Sequence, residues 1–170
     1  RFERLMEPGR IGPLELRNRI AMCPMGVLYS NDDGTISDNE AAFYEARARG
    51  GAGLLLVGTT QVGYPLGTNH ERNPGVSDDR FLPGLTDLTT RVHRHGAAIA
   101  AQLNFMGVPA MLDIAAGRRR LVPYKMPIPQ PDRLWSLMTD AEMASSSAPF
   151  MVEGAEYRFQ VADEDDIALA

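Results

Sequence analysis

The sequence contains a single cysteine, Cys23, in 170 residues. An internal disulfide is therefore excluded, and a lone thiol fits a reducing cytoplasm. One thiolate also cannot carry an iron–sulfur cluster, which needs several. No apolar run approaches the roughly 20 residues that span a bilayer, and the opening Arg1-Phe2-Glu3-Arg4 lacks a signal peptide's apolar core. Positive charge is in deficit, with 17 Lys and Arg against 22 Asp and Glu, a net charge of -5 and a pI near 5.2. That balance argues against nucleic acid or an anionic membrane as the main partner. Histidine is scarce too: His70 stands alone in a loop, while His93 and His95 lie near a helix end, where a cation suits the dipole. No metal set emerges from them. What remains is an ordinary globular composition, 44% hydrophobic and 23% charged, long enough for one core.

Punctuation then organises the chain. Ser37-Asp38-Asn39-Glu40 has the form of a capping box, in which Ser37 accepts from the Glu40 amide and Glu40 reaches back. It opens a helix over 37–49 that Gly50-Gly51 stops. Gly50-Gly51-Ala52-Gly53 follows a helix and precedes a strand, the wrong order for a phosphate loop. Leu54-Leu55-Leu56-Val57 reads as a strand buried on both faces. A second helix starts near Pro83 and ends at Gly96, and Ala97–Leu103 is a further apolar strand. An earlier short strand follows Arg17-Asn18-Arg19 and breaks at Pro24-Met25-Gly26. Cys23, next to that break on an apolar strand, reads as buried and inert. Three strands alternating with two helices predict an α/β fold with parallel βαβ units. The strand starts lie about 34 and 44 residues apart, close to the rhythm of a (β/α)8 barrel.

Four segments carry a more specific likeness. They are Pro8–Ile20, Tyr44–Leu54 with its Arg-Ala-Arg-Gly-Gly-Ala-Gly run, Asp87–Ala97, and Ala100-Ala101-Gln102-Leu103-Asn104. In order and spacing they resemble the N-terminal portion of the Old Yellow Enzyme, or NADH:flavin oxidoreductase, family, which includes 2,4-dienoyl-CoA and 2-enoate reductases. The resemblance implies a TIM barrel whose first three βα strands lie in residues 1–106. It makes 107–162 a long excursion over the active-site face, with candidate short strands at Phe150-Met151-Val152 and Tyr157-Arg158-Phe159. Residues 163–170, led by Asp163-Glu164-Asp165-Asp166, read as a new helix start with acids suited to its N-terminus. A full barrel takes about 250 residues and eight strands. The remaining strands are expected from further sequence or from a second chain, which implies an oligomer or a larger protein.

The same resemblance implies the chemistry. FMN is the expected cofactor and NAD(P)H the reductant, with an iron–sulfur cluster or FAD expected only in downstream sequence. The expected reaction moves hydride through the flavin to an activated alkene, namely an enone, an enoate or a dienoyl thioester. Position by position, Pro24 and Met25 would offer backbone atoms beside the ring, and Gly26 falls where the family tunes flavin electronics. Thr59 would lie near the ring, and Gln102 would pair with its pyrimidine edge by presenting donor and acceptor together. Read alone, Pro24-Met25-Gly26 is a strand terminator, Thr59-Thr60 is strand composition and Gln102 is a polar strand end. No catalytic residue is named, because the family's substrate-binding and proton-donating groups come from later strands. After Gln102-Leu103 the family commonly has a His and, three residues on, an Arg. Here those positions hold Phe105 and Val108, which replaces two polar partners with apolar groups. Those replacements support an alternative, a non-catalytic half-barrel subunit that scaffolds a catalytic homologue. Arg118-Arg119-Arg120 reads as a solvated loop.

Overall fold

A computed structural model describes residues 2–107, 109–123 and 159–161. A short helix, α1 (Glu3–Met6), precedes an antiparallel hairpin of β1 (Gly9–Ile11) and β2 (Leu14–Leu16). Gly12 turns that hairpin at φ +56°, a conformation that side-chain-bearing residues avoid. Then come β3 (Ala21–Met22), α2 (Asp38–Arg49), β4 (Leu54–Gln61), α3 (Leu82–His93) and β5 (Ala98–Asn104). The three strands form one parallel sheet in the order β3-β4-β5, the parallel βαβ arrangement expected.

Burial explains the layering. Helices α2 and α3 cover one face of the sheet. Ala41, Tyr44 and Ala48 of α2 and Leu88 and Val92 of α3 pack with Leu55, Val57 and Ala97. Each large side chain wholly buried there contributes roughly 1.5–3 kcal/mol. Strand alternation sends Ala21, Leu54, Leu56, Ala98, Ala100 and Gln102 to the opposite face. Ala21, Ala100 and Gln102 are exposed there, and no closed barrel forms among the described residues.

The amino ends of the strands are tied by Arg17 and Asn18. The Arg17 guanidinium donates to the carbonyls of Ala48 at 2.6 Å, Ala52 at 2.8 Å and His95. Asn18, 3% exposed, donates to the Gly51 carbonyl at 2.7 Å and accepts from the Ile20 amide at 3.1 Å. A Cβ on Gly53 would stand 2.5 Å from Asn18 Oδ1, so glycine is required where the chain enters β4.

Several expectations need correction. Only half of the capping box forms: Ser37 Oγ accepts the Glu40 amide at 3.1 Å, but the Glu40 carboxylate is buried and accepts from the Ser30 hydroxyl instead. Cys23 is exposed, because among the described residues no strand pairs with the free side of β3, and alternation puts Met22, not Cys23, on the helix-covered face. Arg118-Arg119-Arg120 is not a solvated loop. Arg118 Nε pairs with buried Asp113 at 2.8 Å, and Arg120 is 5% exposed in a strand. The excursion after β5 also holds more structure than its composition suggests. It contains α4 (Met111–Ala115) and β6 (Arg120–Val122), and β6 pairs in parallel with β7 (Phe159–Val161). That strand starts at the last residue of the expected 157–159 segment. Val108, Phe150-Met151-Val152, Tyr157-Arg158 and the helix start at 163–167 lie outside the described residues.

Candidate functional site

The chain leaving β3 and the carboxyl half of β5 meet β4 at Gly58. Past Met22 the chain stays beside β4, and Gly26 forms a parallel bridge to Gly58. A Cβ placed on Gly58 would lie 2.5 Å from Pro24 Cβ, 2.7 Å from Gln102 Oε1 and 3.1 Å from the Met25 amide nitrogen. Glycine here is therefore what lets the chain after β3 and β5 approach β4 so closely. The structure brings Pro24, Met25, Gly26 and Gln102 together around one point, with Thr59 next in the chain. Sequence reasoning missed Gly58 itself, although a lone glycine inside a strand signals a close backbone approach.

Between Val57 and Thr60 the β4–β5 register shifts, and the Gly58–Thr59 peptide is cis. Beyond the shift Gln61 stands opposite Asn104. Thr60 is wholly buried, whereas Thr59 is half-buried. The Gln102 side chain is exposed, and among the described residues its amide has no hydrogen-bond partner. Met25 is 53% exposed, and a side chain at Gly26 would meet nothing within 4 Å. A cradle with free amide donors and acceptors, an exposed thioether and one open glycine suits a flat heteroaromatic group. These residues fit a flavin ring.

Two loops flank this edge and lock together. The ring of Phe105, just past β5, sits against Gly63 and Gly67 of the loop after β4, where added Cβ atoms would fall 2.9 and 2.5 Å from it. Met106 N–H donates to the Gly67 carbonyl at 2.7 Å. Asp113, 2% exposed, accepts the Gly67 amide at 2.8 Å through one oxygen and Arg118 Nε at 2.8 Å through the other. Phe105 thus serves loop packing.

Behind the site, α2 carries two buried titratable groups. Burial pushes the Glu40 carboxyl up to about 7, offset in part by the Ser30 hydrogen bond. Burial likewise pushes the Tyr44 phenol up to about 12. His95 Nε2 meets Glu45 Oε1 at 3.1 Å, joining the segment after α3 to α2 in a structural role. His70 Nδ1 accepts the Arg72 amide at 3.1 Å within its own loop. Among the described residues no group of three or more His, Cys, Asp or Glu could hold a metal ion. No described helix is long and apolar enough to cross a membrane.

The arrangement is that of the opening strands of a parallel α/β barrel, a fold whose ligands bind at the carboxyl ends of its strands. Known proteins agree. Residues 4–146 match the model of the NADH:flavin oxidoreductase / NADH oxidase family, and the chain belongs to that family. It is 38% identical over 126 residues to an NADH oxidase of Thermoanaerobacter brockii, covering 74% of this chain and 19% of that protein. It is 42% identical over 100 residues to an NADPH dehydrogenase of Halalkalibacterium halodurans, covering 58% of this chain and 29% of that one. In three dimensions it resembles the Old Yellow Enzyme of a Pichia species with a TM-score of 0.71 at 21% identity, over 97% of this chain and 39% of that chain. The chain therefore spans less than a third of either of these two curated relatives.

Proposed function

We propose that this chain supplies one wall of an FMN site in an NAD(P)H-dependent oxidoreductase whose acceptor is an activated alkene. The observation that carries the reading is the convergence of Pro24, the Met25 amide and the Gln102 amide on Gly58, at the carboxyl edge of a parallel sheet. When bound, FMN would supply two-electron hydride chemistry between NAD(P)H and an electron-poor carbon. Pro24 and Met25 would flank the ring with backbone atoms. Gln102 would hold a ring edge that presents acceptor and donor side by side, and Thr59 would contact the ring. Gly26 would leave room beside it. The proton donor and the substrate-carbonyl contacts are assigned to the remaining barrel strands, supplied by further sequence or by a second chain.

The test is reconstitution of the full-length protein with FMN, followed by anaerobic titration with NADH and NADPH and an assay against enones, enoates and dienoyl thioesters. Bleaching of the flavin by reductant and reoxidation by an alkene are expected. Gln102→Ala should weaken FMN binding by about tenfold or more, because an amide that makes two ring contacts is lost. Failure to take up FMN would overturn the reading. Phe105, spent on Gly63 and Gly67 where the family commonly has a His, favours one alternative: a non-catalytic half-barrel that docks on a catalytic homologue. That alternative requires a second polypeptide in native mass spectra and no flavin reduction in this chain.

A further inference from the structure

Gln61 is wholly buried, although its side chain carries two donors and an acceptor. It lies at the carboxyl end of β4, opposite Asn104 on β5. Asn104 Nδ2 donates to Gln61 Oε1 at 3.1 Å, and Gln61 Nε2 donates to Thr59 Oγ1 at 3.0 Å. The backbone is held as well: Gln61 N–H donates to the Pro74 carbonyl at 2.7 Å, and its carbonyl accepts from Val76 at 3.0 Å. The direction of this chain of amides has a physical cause. The Thr59 carbonyl lies 3.4 Å from Gln61 Nε2, so a reversed amide would set oxygen against oxygen. Thr59 Oγ1 therefore receives a hydrogen bond, and among the described residues no protein acceptor takes the hydrogen it carries.

Building on the flavin reading above, we propose that Gln61, oriented by Asn104, is a positioning residue that keeps the Thr59 hydroxyl as a hydrogen-bond donor for the bound flavin. A hydroxyl that already accepts from an amide has its own hydrogen left for a ligand acceptor, and flavin rings present such acceptors as carbonyl oxygens and ring nitrogens. The unit is preorganised, because a buried amide held at both ends leaves Thr59 little rotational freedom to lose on binding.

Asn104→Asp provides an isosteric test in the FMN-reconstituted full-length protein. A carboxylate only accepts, so Gln61 must turn its Nε2 toward the substituted side chain and its Oε1 to Thr59, which then draws the hydroxyl hydrogen away from the ring. Asn104→Asp and Thr59→Val are each expected to weaken FMN about three- to tenfold, the value of one net hydrogen bond. Binding is read by quenching of flavin fluorescence, and both variants should shift the visible absorption bands of the bound flavin. The double variant is expected to bind no more weakly than Thr59→Val alone. If the Asn104→Asp loss persists in the Thr59→Val background, the new charge causes it and the proposal falls. It also falls if either single variant binds FMN like the wild type while the wild type stays loaded. A wild-type protein that takes up no FMN would instead remove the flavin reading itself.

Discussion

The buried carboxylate of Glu40 accepts a hydrogen bond from Ser30, which joins the first helix behind the site to the loop that leaves the Pro24-Met25-Gly26 break. Glu40 is thus a tether between two elements and only half a helix cap, since the hydroxyl of Ser37 alone completes the cap. Placing this group inside the fold has a consequence for pH.

Glu40 is held near 7 in the folded chain, against 4.5 for an ordinary glutamate. The folded state therefore retains a proton there that the unfolded chain loses above about pH 4.5. The stability associated with the neutral form is full below pH 4.5 and is lost as pH rises through 7. The shift corresponds to roughly 3 kcal/mol. Urea unfolding at pH 5 and pH 8 should show the wild type less stable at pH 8 on this account. Glu40→Gln should flatten that difference. An unchanged pH slope in Glu40→Gln would show that the carboxylate is not the titrating group.

Gly58 and Gly26 bridge each other, yet they should respond oppositely to alanine. A Cβ at Gly58 meets Pro24 Cβ at 2.5 Å and Gln102 Oε1 at 2.7 Å. Gly58→Ala should cost about 1–3 kcal/mol and displace both neighbours, lowering Tm and weakening FMN together. Gly26→Ala meets nothing within 4 Å, so its stability should stay within about 0.5 kcal/mol of wild type. Thermal melts of the two variants decide this, and equal losses would contradict the geometry.

These contrasts mark what the sequence could and could not reveal. The run Leu54–Val57, flanked by Gly53 and a polar Thr-Thr-Gln, identified a buried strand because local hydrophobicity decides that question. Ser37 identified a helix start for the same local reason. Glu40 was misjudged because the capping-box spacing fits both outcomes, and only the distant Ser30 decides between them. The apolar neighbours of Cys23 suggest burial, but among the described residues only the helix-covered face of β3 is packed, and Cys23 is on the other. Gly58, Gln61 and Asn104 were missed as site elements for a different reason. Their roles depend on a register shift between Val57 and Thr60 that pairs residues 43 apart in the chain, and no local pattern encodes it. The family resemblance supplied Pro24, Met25, Gly26, Thr59 and Gln102 as a set, and the fold accounts for their proximity.

Asp113 provides a further test, this time of the loops. It is buried, and its two oxygens receive the Gly67 amide and Arg118. Asp113→Ala would strand the buried Gly67 donor and leave Arg118 only its bond to the Leu112 carbonyl, a loss of about 1–3 kcal/mol. Asp113→Asn keeps one acceptor for Gly67 and should recover about half of that loss. Hydrogen exchange at the Gly67 amide should rise sharply in the alanine variant and only modestly in the asparagine variant. Similar exchange in both would show that Asp113 does not hold this loop.

Asn18 tests the opposite end of the sheet. Its amide bridges the Gly51 carbonyl and the Ile20 amide at 2.7 and 3.1 Å, beneath a glycine that no other residue can replace without meeting it. Asn18→Ala removes both bonds from a buried position and should cost about 1–3 kcal/mol. Because Asn18 sits at the amino ends of the strands, the loss should appear in unfolding and leave the FMN dissociation constant within about twofold of wild type below the melting transition. Asn18→Asp should restore the bond to Ile20 but set a carboxylate against the Gly51 carbonyl, and it should be no more stable than alanine. A variant with normal stability but weakened flavin binding would reverse this assignment and tie Asn18 to the site.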